Sequence, residues 1–345
     1  MTFPRVAVAM SGGVDSSVAA MLLKQAGYDV IGVTMRLKDS EHDNAFADTA
    51  AAVANKLGIK HHVIDLSKQF QNDVIDYFCE TYRHGQTPNP CIVCNRLIKF
   101  GSLLEFADSL RAWHLATGHY ARIRCTTSDY HLYKAIDTKK DQSYFLYRLD
   151  QIQLSRIILP LGEMTKNQVR QLADENSLPV NTAESQDICF LQGEDYHSFL
   201  ESHFEFSPGN IVNEQNEVVG RHRGIGRYTI GQRHGLNVAS NTPLYVLSID
   251  PADNRVVVGN ESSLLKPSVK IKDVHWISGS WPDVTQSLSA RIRYRMADSD
   301  ISILEQNGQT SATITFERPV RAVTPGQSAV IYRCDEVLGG GIITA

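Results

Sequence analysis

The sequence predicts an α/β fold: an N-terminal parallel-sheet domain, a small β-rich domain, and a C-terminal β-barrel. Three observations carry this. Apolar strand-like runs alternate with helical patterns up to about residue 205. The first of these runs ends in a Ser-Gly-Gly turn that opens directly into a helix. After Phe206 the texture changes to short alternating segments punctuated by Gly, Asn and Asp. The expected divisions are residues 1–205, 206–262 and 263–345.

Element by element, Val6-Ala7-Val8-Ala9 is an apolar run with alternating β-branched residues and reads as a strand. Beyond Ser11-Gly12-Gly13, the residues Val18, Met21 and Leu22 share a helical face, and Gly27 stops that helix. Residues 29–35 read as a second strand, and the alanine-rich 44–57 as a helix ended by Gly58. A third strand is expected at 61–66, a helix at 69–83, a long amphipathic helix at 96–113, and a strand at 115–121. Further helices are expected at 166–176 and 195–203. Such alternation implies a mainly parallel sheet covered on both faces, with ligands at the carboxyl ends of its strands. Beyond Pro208-Gly209, strands are expected at 245–249, 255–258, 269–271, 288–294, 311–316 and 329–332. Pro251-Ala252-Asp253-Asn254 and Asn307-Gly308 have hairpin-turn chemistry.

Composition narrows the function classes. The 345 residues are 42% hydrophobic and 21% charged, ordinary for a globular protein able to bury a sizeable core. No apolar run approaches the ~18 residues that span a bilayer. Met1-Thr2-Phe3-Pro4-Arg5 leads straight into a strand, so a cytoplasmic location without membrane contact is expected. A net charge of -4 argues against a strongly basic, non-specific nucleic-acid binder and leaves room for a local basic surface. The six cysteines then sit in a reducing compartment, where spaced cysteines point to redox chemistry or metal rather than structural disulfides.

Two places carry chemistry. A strand, a glycine-rich turn and a helix N-terminus in succession make an anion site: unpaired N–H groups and the helix dipole favour a phosphate. Gly12 and Gly13 allow close approach, and Ser11, Ser16 and Ser17 supply hydroxyls. No lysine follows as in the usual P-loop. The second place is Thr87-Pro88-Asn89-Pro90-Cys91-Ile92-Val93-Cys94-Asn95-Arg96. The prolines force an extended approach and Asn95 is placed to cap the next helix. Cys94 is therefore expected near a helix N-terminus, where the dipole favours a thiolate. Cys189, in Ser185-Gln186-Asp187-Ile188-Cys189-Phe190, reads either as a small buried hydrophobe or as a second reactive thiol. Cys79 and Cys125 read as packing residues. Arg291, Arg293 and Arg295 alternate with Ile292 and Tyr294, putting three guanidinium groups on one face of an expected strand. Arg221, His222, Arg223, Arg227, Arg233 and His234 form a second basic candidate.

The first motif resembles the SGGxDS loop of the ATP pyrophosphatases, whose nucleotide domain is Rossmann-like. With SGGVDSS, TPNPCIVCN and its following IKF, TGHY, KDQSYFLY, SQDICF, TIGQR, TPGQSAV and LGGGI in order, the whole chain resembles the tRNA-specific 2-thiouridylase family. That resemblance implies ATP-dependent 2-thiolation of the wobble uridine of the tRNAs for Lys, Glu and Gln. ATP with Mg²⁺ would bind at Ala9, Met10, Ser11, Gly12, Gly13, Val14, Asp15 and Ser16, with Met35 and Gly118 lining the nucleotide. Cys189 would carry a persulfide and Cys94 would be its catalytic partner. Asn89, Pro90 and Cys91 would lie beside the target base. His119, Lys140, Asp141, Gln142, Arg293, Tyr294 and Gln327 would contact tRNA. The implied partners are tRNA and a persulfide-carrying sulfur donor, either a cysteine desulfurase or a relay protein; DNA is not expected. Two departures stand out. Cys91 occupies a position that some relatives fill with Asp, which makes an acid–base role there doubtful. His234 stands where Lys is frequent, so the charge there depends on pH. The alternatives are another ATP pyrophosphatase acting on a small molecule, a non-enzymatic RNA binder, and an iron–sulfur-dependent thiolase using Cys91, Cys94 and Cys189. No resident metal is expected.

Overall fold

The computed structural model describes residues 4–38, 40–127, 129–181, 188–191 and 194–344. Its first sheet has five parallel strands in the order Lys60–Asp65, Asp29–Arg36, Arg5–Ala9, His114–Ala116, Ile157–Ile158. Val6, Ala7 and Val8 are fully buried, as befits a central strand covered on both faces. The strand Arg5–Ala9 is flanked by the second strand on one side and by His114–Ala116 on the other, so the order reverses there. The turn after Ala9 and the turn after Ala116 therefore meet at the topological switch point, where such sheets bind ligands.

The helices follow the predicted order with shifted ends. The first runs Val14–Gln25, and the second, Glu41–Leu57, stops at Gly58 in the left-handed conformation (φ 61°). Residues 90–109 form one continuous helix with a π-helical stretch at Cys94–Ser102. It thus begins several residues before the predicted start at 96. Pro90 takes the first helical position and Asn89, rather than Asn95, is the N-cap residue. The predicted strand at 115–121 is two elements: His114–Ala116 belongs to the parallel sheet, and Ala121–Cys125 opens a hairpin with Tyr130–Lys134.

A four-stranded sheet follows, in the order Tyr245–Asp250, Arg255–Gly259, Gly209–Val212, Val218–His222, with a parallel pairing between Gly209–Val212 and Arg255–Gly259. The remaining strands close a six-stranded barrel, from Leu265–Trp276 round to Glu336–Ile343, with Ile271 opposite Ile343. The hairpin at 121–134 adds to that barrel's sheet, Leu132 lying opposite Val337. The predicted strand at 288–294 ends at Arg291, and residues 292–296 are bend and turn.

One hydrophobic core joins the two larger units. Ala7 and Leu115 of the parallel sheet share a cluster with Val330, Tyr332 and Val337 of the barrel. Tyr144 donates to the Ser328 carbonyl at 2.8 Å, and the Tyr147 and Ser328 hydroxyls meet at 3.1 Å. The KDQSYFLY motif is thus a joint between domains, its tyrosines fully buried. No helix among the described residues is long and apolar enough to cross a membrane.

Candidate functional site

The Ser11-Gly12-Gly13 loop is held by its own backbone. Met10 N–H donates to Val33 O, continuing the sheet past the end of the strand. Gly12 has φ 72°, and a Cβ there would lie 2.8 Å from Thr49 Cβ, so both conformation and space demand glycine. Gly13 is extended and caps the helix, leaving the first-turn N–H groups facing the loop mouth. The hydroxyls are used differently from expectation. Ser16 and Ser17 both donate to Gly13 O, at 3.2 and 2.9 Å, and Ser17 is fully buried. Ser11 alone of the three is exposed. Gly118, in the turn after His114–Ala116, packs so tightly that a Cβ would sit 2.8 Å from the backbone of Asp15 and Ser16. Met35 is half-buried at the end of its strand.

Asp15 is clamped by two residues that sequence reasoning did not single out. Lys166 Nζ lies 2.7 Å from both carboxylate oxygens, and Tyr120 Oη donates to one of them at 2.7 Å. Lys166 opens a later helix, with Thr165 as N-cap in a capping box. Only its helical position was legible; its bond to Asp15, 151 residues away, was not.

The thiol cleft lies on the helix at 90–109. Cys94 is buried, Cys91 half-buried and Cys189 exposed. Cys94 packs in one apolar cluster with Ile98, Phe190 and Leu191, which brings the segment carrying Cys189 against the helix. The expected dipole effect on Cys94 is overturned. Cys94 follows the first turn of a helix begun at Pro90, so it has left the positive end. Burial dominates and pushes its thiol up to about 12, against the pull of Lys99; Cys189 and Cys91 raise it further. Burial likewise pushes Cys91 up to about 11, with Cys189 adding to the rise and Lys99 opposing it. Cys189 has accessible surface but sits in a crowded cleft, so desolvation raises its pKa too, again opposed by Lys99. Ser185-Gln186-Asp187 of this motif lies outside the described residues.

Lys99 was missed as a functional candidate. It is half-buried, five residues after Cys94 within the π-helical stretch, and its charge acts on all three thiols. That spacing and the IKF motif were the available signals. His119 also faces it: buried, with Nδ1 2.7 Å from Thr117 Oγ1 and its ring against Phe100, it is held neutral first by burial and then by Lys99.

The expected RNA contacts divide. Asp141 is buried, accepts from Ala135 N, Ser143 N and Ser143 Oγ, and pairs with Arg291 at 3.3 Å. Gln142 Oε1 accepts from Tyr120 N, and Lys140 is half-buried. Arg293 donates to Ile230 O and Thr324 Oγ1, tying a turn of the middle domain to the barrel; burial and then Arg321 lower its pKa. Gln327 Nε2 donates to the carbonyls of Thr87 and Pro88, fixing the approach to Asn89, which is half-buried. Tyr294 stands against Phe145, ring centroids 4.3 Å apart. The three-arginine strand face does not form: Arg291 lies in the strand and is paired with Asp298 and Asp141, while Arg293 and Arg295 lie in the following bend and turn. In the middle domain Arg221, Arg223, Arg233 and His234 are exposed, Arg227 pairs with Glu201, and His222 is buried. Cys79 packs in the core, whereas Cys125 is exposed, its thiol donating to Thr126 O at 3.0 Å. Among the described residues no group of three or more His, Cys, Asp or Glu side chains is arranged to hold a metal ion.

Comparison with known proteins sets this site in a family. Residues 4–193 match a family described as tRNA methyl transferase HUP domain. Residues 197–260 match its PRC-barrel domain, and 266–343 an aminomethyltransferase beta-barrel domain. The chain is 49% identical to a tRNA-specific 2-thiouridylase MnmA of Trichlorobacter lovleyi over 99% of its own length and 98% of the relative's. It is 45% identical to one of Dehalococcoides mccartyi, over 98% and 96%. Among solved structures, the U34-tRNA thiolase NcsA of Methanococcus maripaludis shares 19% identity over 58% of this chain and 64% of that one, at a TM-score of 0.38. With near-complete coverage at such identity, this chain belongs to the tRNA-specific 2-thiouridylase family.

Proposed function

We propose that this chain is a tRNA-uridine 2-sulfurtransferase acting on the wobble uridine of the tRNAs for Lys, Glu and Gln. The observation that carries the reading is the gathering of Cys94 and Cys189 about Lys99, in a fold whose switch point holds a bare helix N-terminus. The loop from Ala9 to Ser16 cradles the phosphates of ATP, with Gly118 behind it and Met35 beside the adenine. Magnesium arriving with ATP would be held chiefly by the phosphate oxygens; Asp15, its side chain 33% exposed, is the carboxylate at the loop, and Lys166, which bonds both its oxygens, would have to yield one to the metal. When bound, it would neutralise charge on the departing pyrophosphate.

Uracil C2 is a poor electrophile, so the first step is attack of its oxygen on the α-phosphorus of ATP, with pyrophosphate leaving. The terminal sulfur of a Cys189 persulfide then attacks C2, and AMP departs with the C–O bonding pair. The Cys94 thiolate attacks the Cys189 sulfur, breaking the S–S bond and leaving its electron pair on the thiouridine. A Cys94–Cys189 disulfide remains, to be reduced by an external dithiol. The persulfide comes from a donor protein, a cysteine desulfurase or relay protein. Asn89, Pro90 and Cys91 meet the flipped-out base. Cys91 needs no role in this electron balance.

The test is mass analysis of tRNA nucleosides after incubation of the chain with tRNA, ATP, Mg²⁺ and a persulfide donor. Sulfur replacing oxygen at the wobble uridine, with AMP and pyrophosphate formed, is expected. A methylated nucleoside, pyrophosphate release indifferent to tRNA, or binding without AMP would each sink the proposal.

A further inference from the structure

Behind the helix that bears the thiols lies a second feature, a cleft between the catalytic domain and the barrel. Tyr77, Asn89, Arg96, Tyr147, Arg148 and Ser328 line it. Arg96 is exposed on the helix at 90–109, and Arg148 follows Tyr147 beyond the short helix Ser143–Leu146. Among the described residues neither guanidinium has a carboxylate partner, in contrast to Arg291 and Arg156, which do. Arg148 shares a hydrogen bond with the Tyr147 hydroxyl, yet its Nε is buried with no acceptor. Both charges are felt by His275 on the facing barrel strand, whose other near charge is Asp150. Asp150 is committed to capping a helix, accepting from Gln153 N. Asp273 also lies near Tyr147.

Two guanidinium groups without a carboxylate partner in one cleft, one with a buried Nε that lacks an acceptor, describe an incomplete anion site. A phosphodiester supplies two acceptor oxygens in the geometry that the planar fork matches. The cleft shares Asn89 with the place proposed for the target base, so a chain entering there carries a phosphate past both arginines. We propose that Arg96 and Arg148 together bind a backbone phosphate of the tRNA anticodon loop, next to the nucleotide held at Asn89. The assignment rests on the tRNA reading above and adds a site to it.

The experiment is the salt dependence of tRNA binding to the full-length chain, followed by fluorescence anisotropy. The double variant Arg96→Gln/Arg148→Gln should lower the slope of log K against log salt by about 0.7, the counterion released by one phosphate of a single strand. Arg148→Lys should keep the slope while binding more weakly, because it keeps charge and loses the fork. In the unsubstituted protein, bound tRNA should protect Arg96 and Arg148 from phenylglyoxal, a readout independent of whether the variants fold. An unchanged slope in the double variant at an unchanged melting temperature, or no protection, overturns this site while leaving the tRNA reading intact. Failure of the unsubstituted chain to bind tRNA overturns both.

Discussion

The glycine loop and the thiol cleft are built by opposite means. The loop is local: its turn comes from two adjacent glycines, its hydroxyls bond its own carbonyls, and its dipole belongs to the helix it opens. The cleft is assembled from residues almost a hundred positions apart, and its thiols are governed by what packs around them. In the loop, local physics survives folding. In the cleft, desolvation reverses it, and one lysine supplies the opposing charge.

The comparison is sharpest where the two regions are broken separately. Cys94→Ser and Cys189→Ser should abolish thiolation while pyrophosphate release and tRNA binding persist, measured by nucleoside mass analysis and a pyrophosphate assay. Gly118→Val should instead stop the first step while leaving the thiols intact. Its added carbons meet the Asp15–Ser16 backbone, displacing the loop and cutting AMP formation by about a hundredfold, since a displacement of ~1 Å is worth that much. Thiol alkylation should be unaffected by Gly118→Val; if it falls in parallel, the two regions are not independent.

A smaller effect tests the joint between the N-terminal domain and the barrel. Arg291→Met leaves the buried Asp141 without its ion partner, since Arg291 and Asp141 are 14% and 2% exposed. Breaking such a pair costs about 3–5 kcal/mol, to be read from urea unfolding. A loss below ~1 kcal/mol would mean that the Ser143 donors suffice for Asp141.

The smallest effect concerns Lys99. With the Cys94 thiol pushed up to about 12, its thiolate fraction should rise tenfold per pH unit across the neutral and mildly alkaline range. Its iodoacetamide reactivity should climb accordingly. Lys99→Met removes the charge that opposes the rise, so the profile should move to higher pH, with alkylation at pH 8 slower by about tenfold. Lys99→Arg should restore it. A profile indifferent to Lys99 would mean that burial alone sets the reactivity.

How much of this was legible follows from the range of each interaction. The order of strand, Ser-Gly-Gly turn and helix, Gly58 as a helix stop, and the texture change after Phe206 could be read because they depend on neighbours a few residues away. The strand expected at 115–121 ends at Ala116, and the hairpin at 121–134 was not read, because its pairing partner lies in the last strand of the barrel. The alternation of Arg291, Arg293 and Arg295 suggested an exposed strand face. The chain turns after Arg291, and two of the three side chains are committed inside the protein, to Asp141, Asp298, Ile230 and Thr324.

The sequence by itself determined the parallel-sheet domain, the glycine-permitted loop at a helix start, and the residue types available for sulfur chemistry. Local backbone preference and periodicity suffice for these. The tertiary structure alone decided that Lys166 and Tyr120 would clamp Asp15, that Lys99 would face three thiols, and that burial would outweigh the helix dipole at Cys94. Desolvation and pairing depend on groups distant in sequence, and these are brought together only when the chain packs.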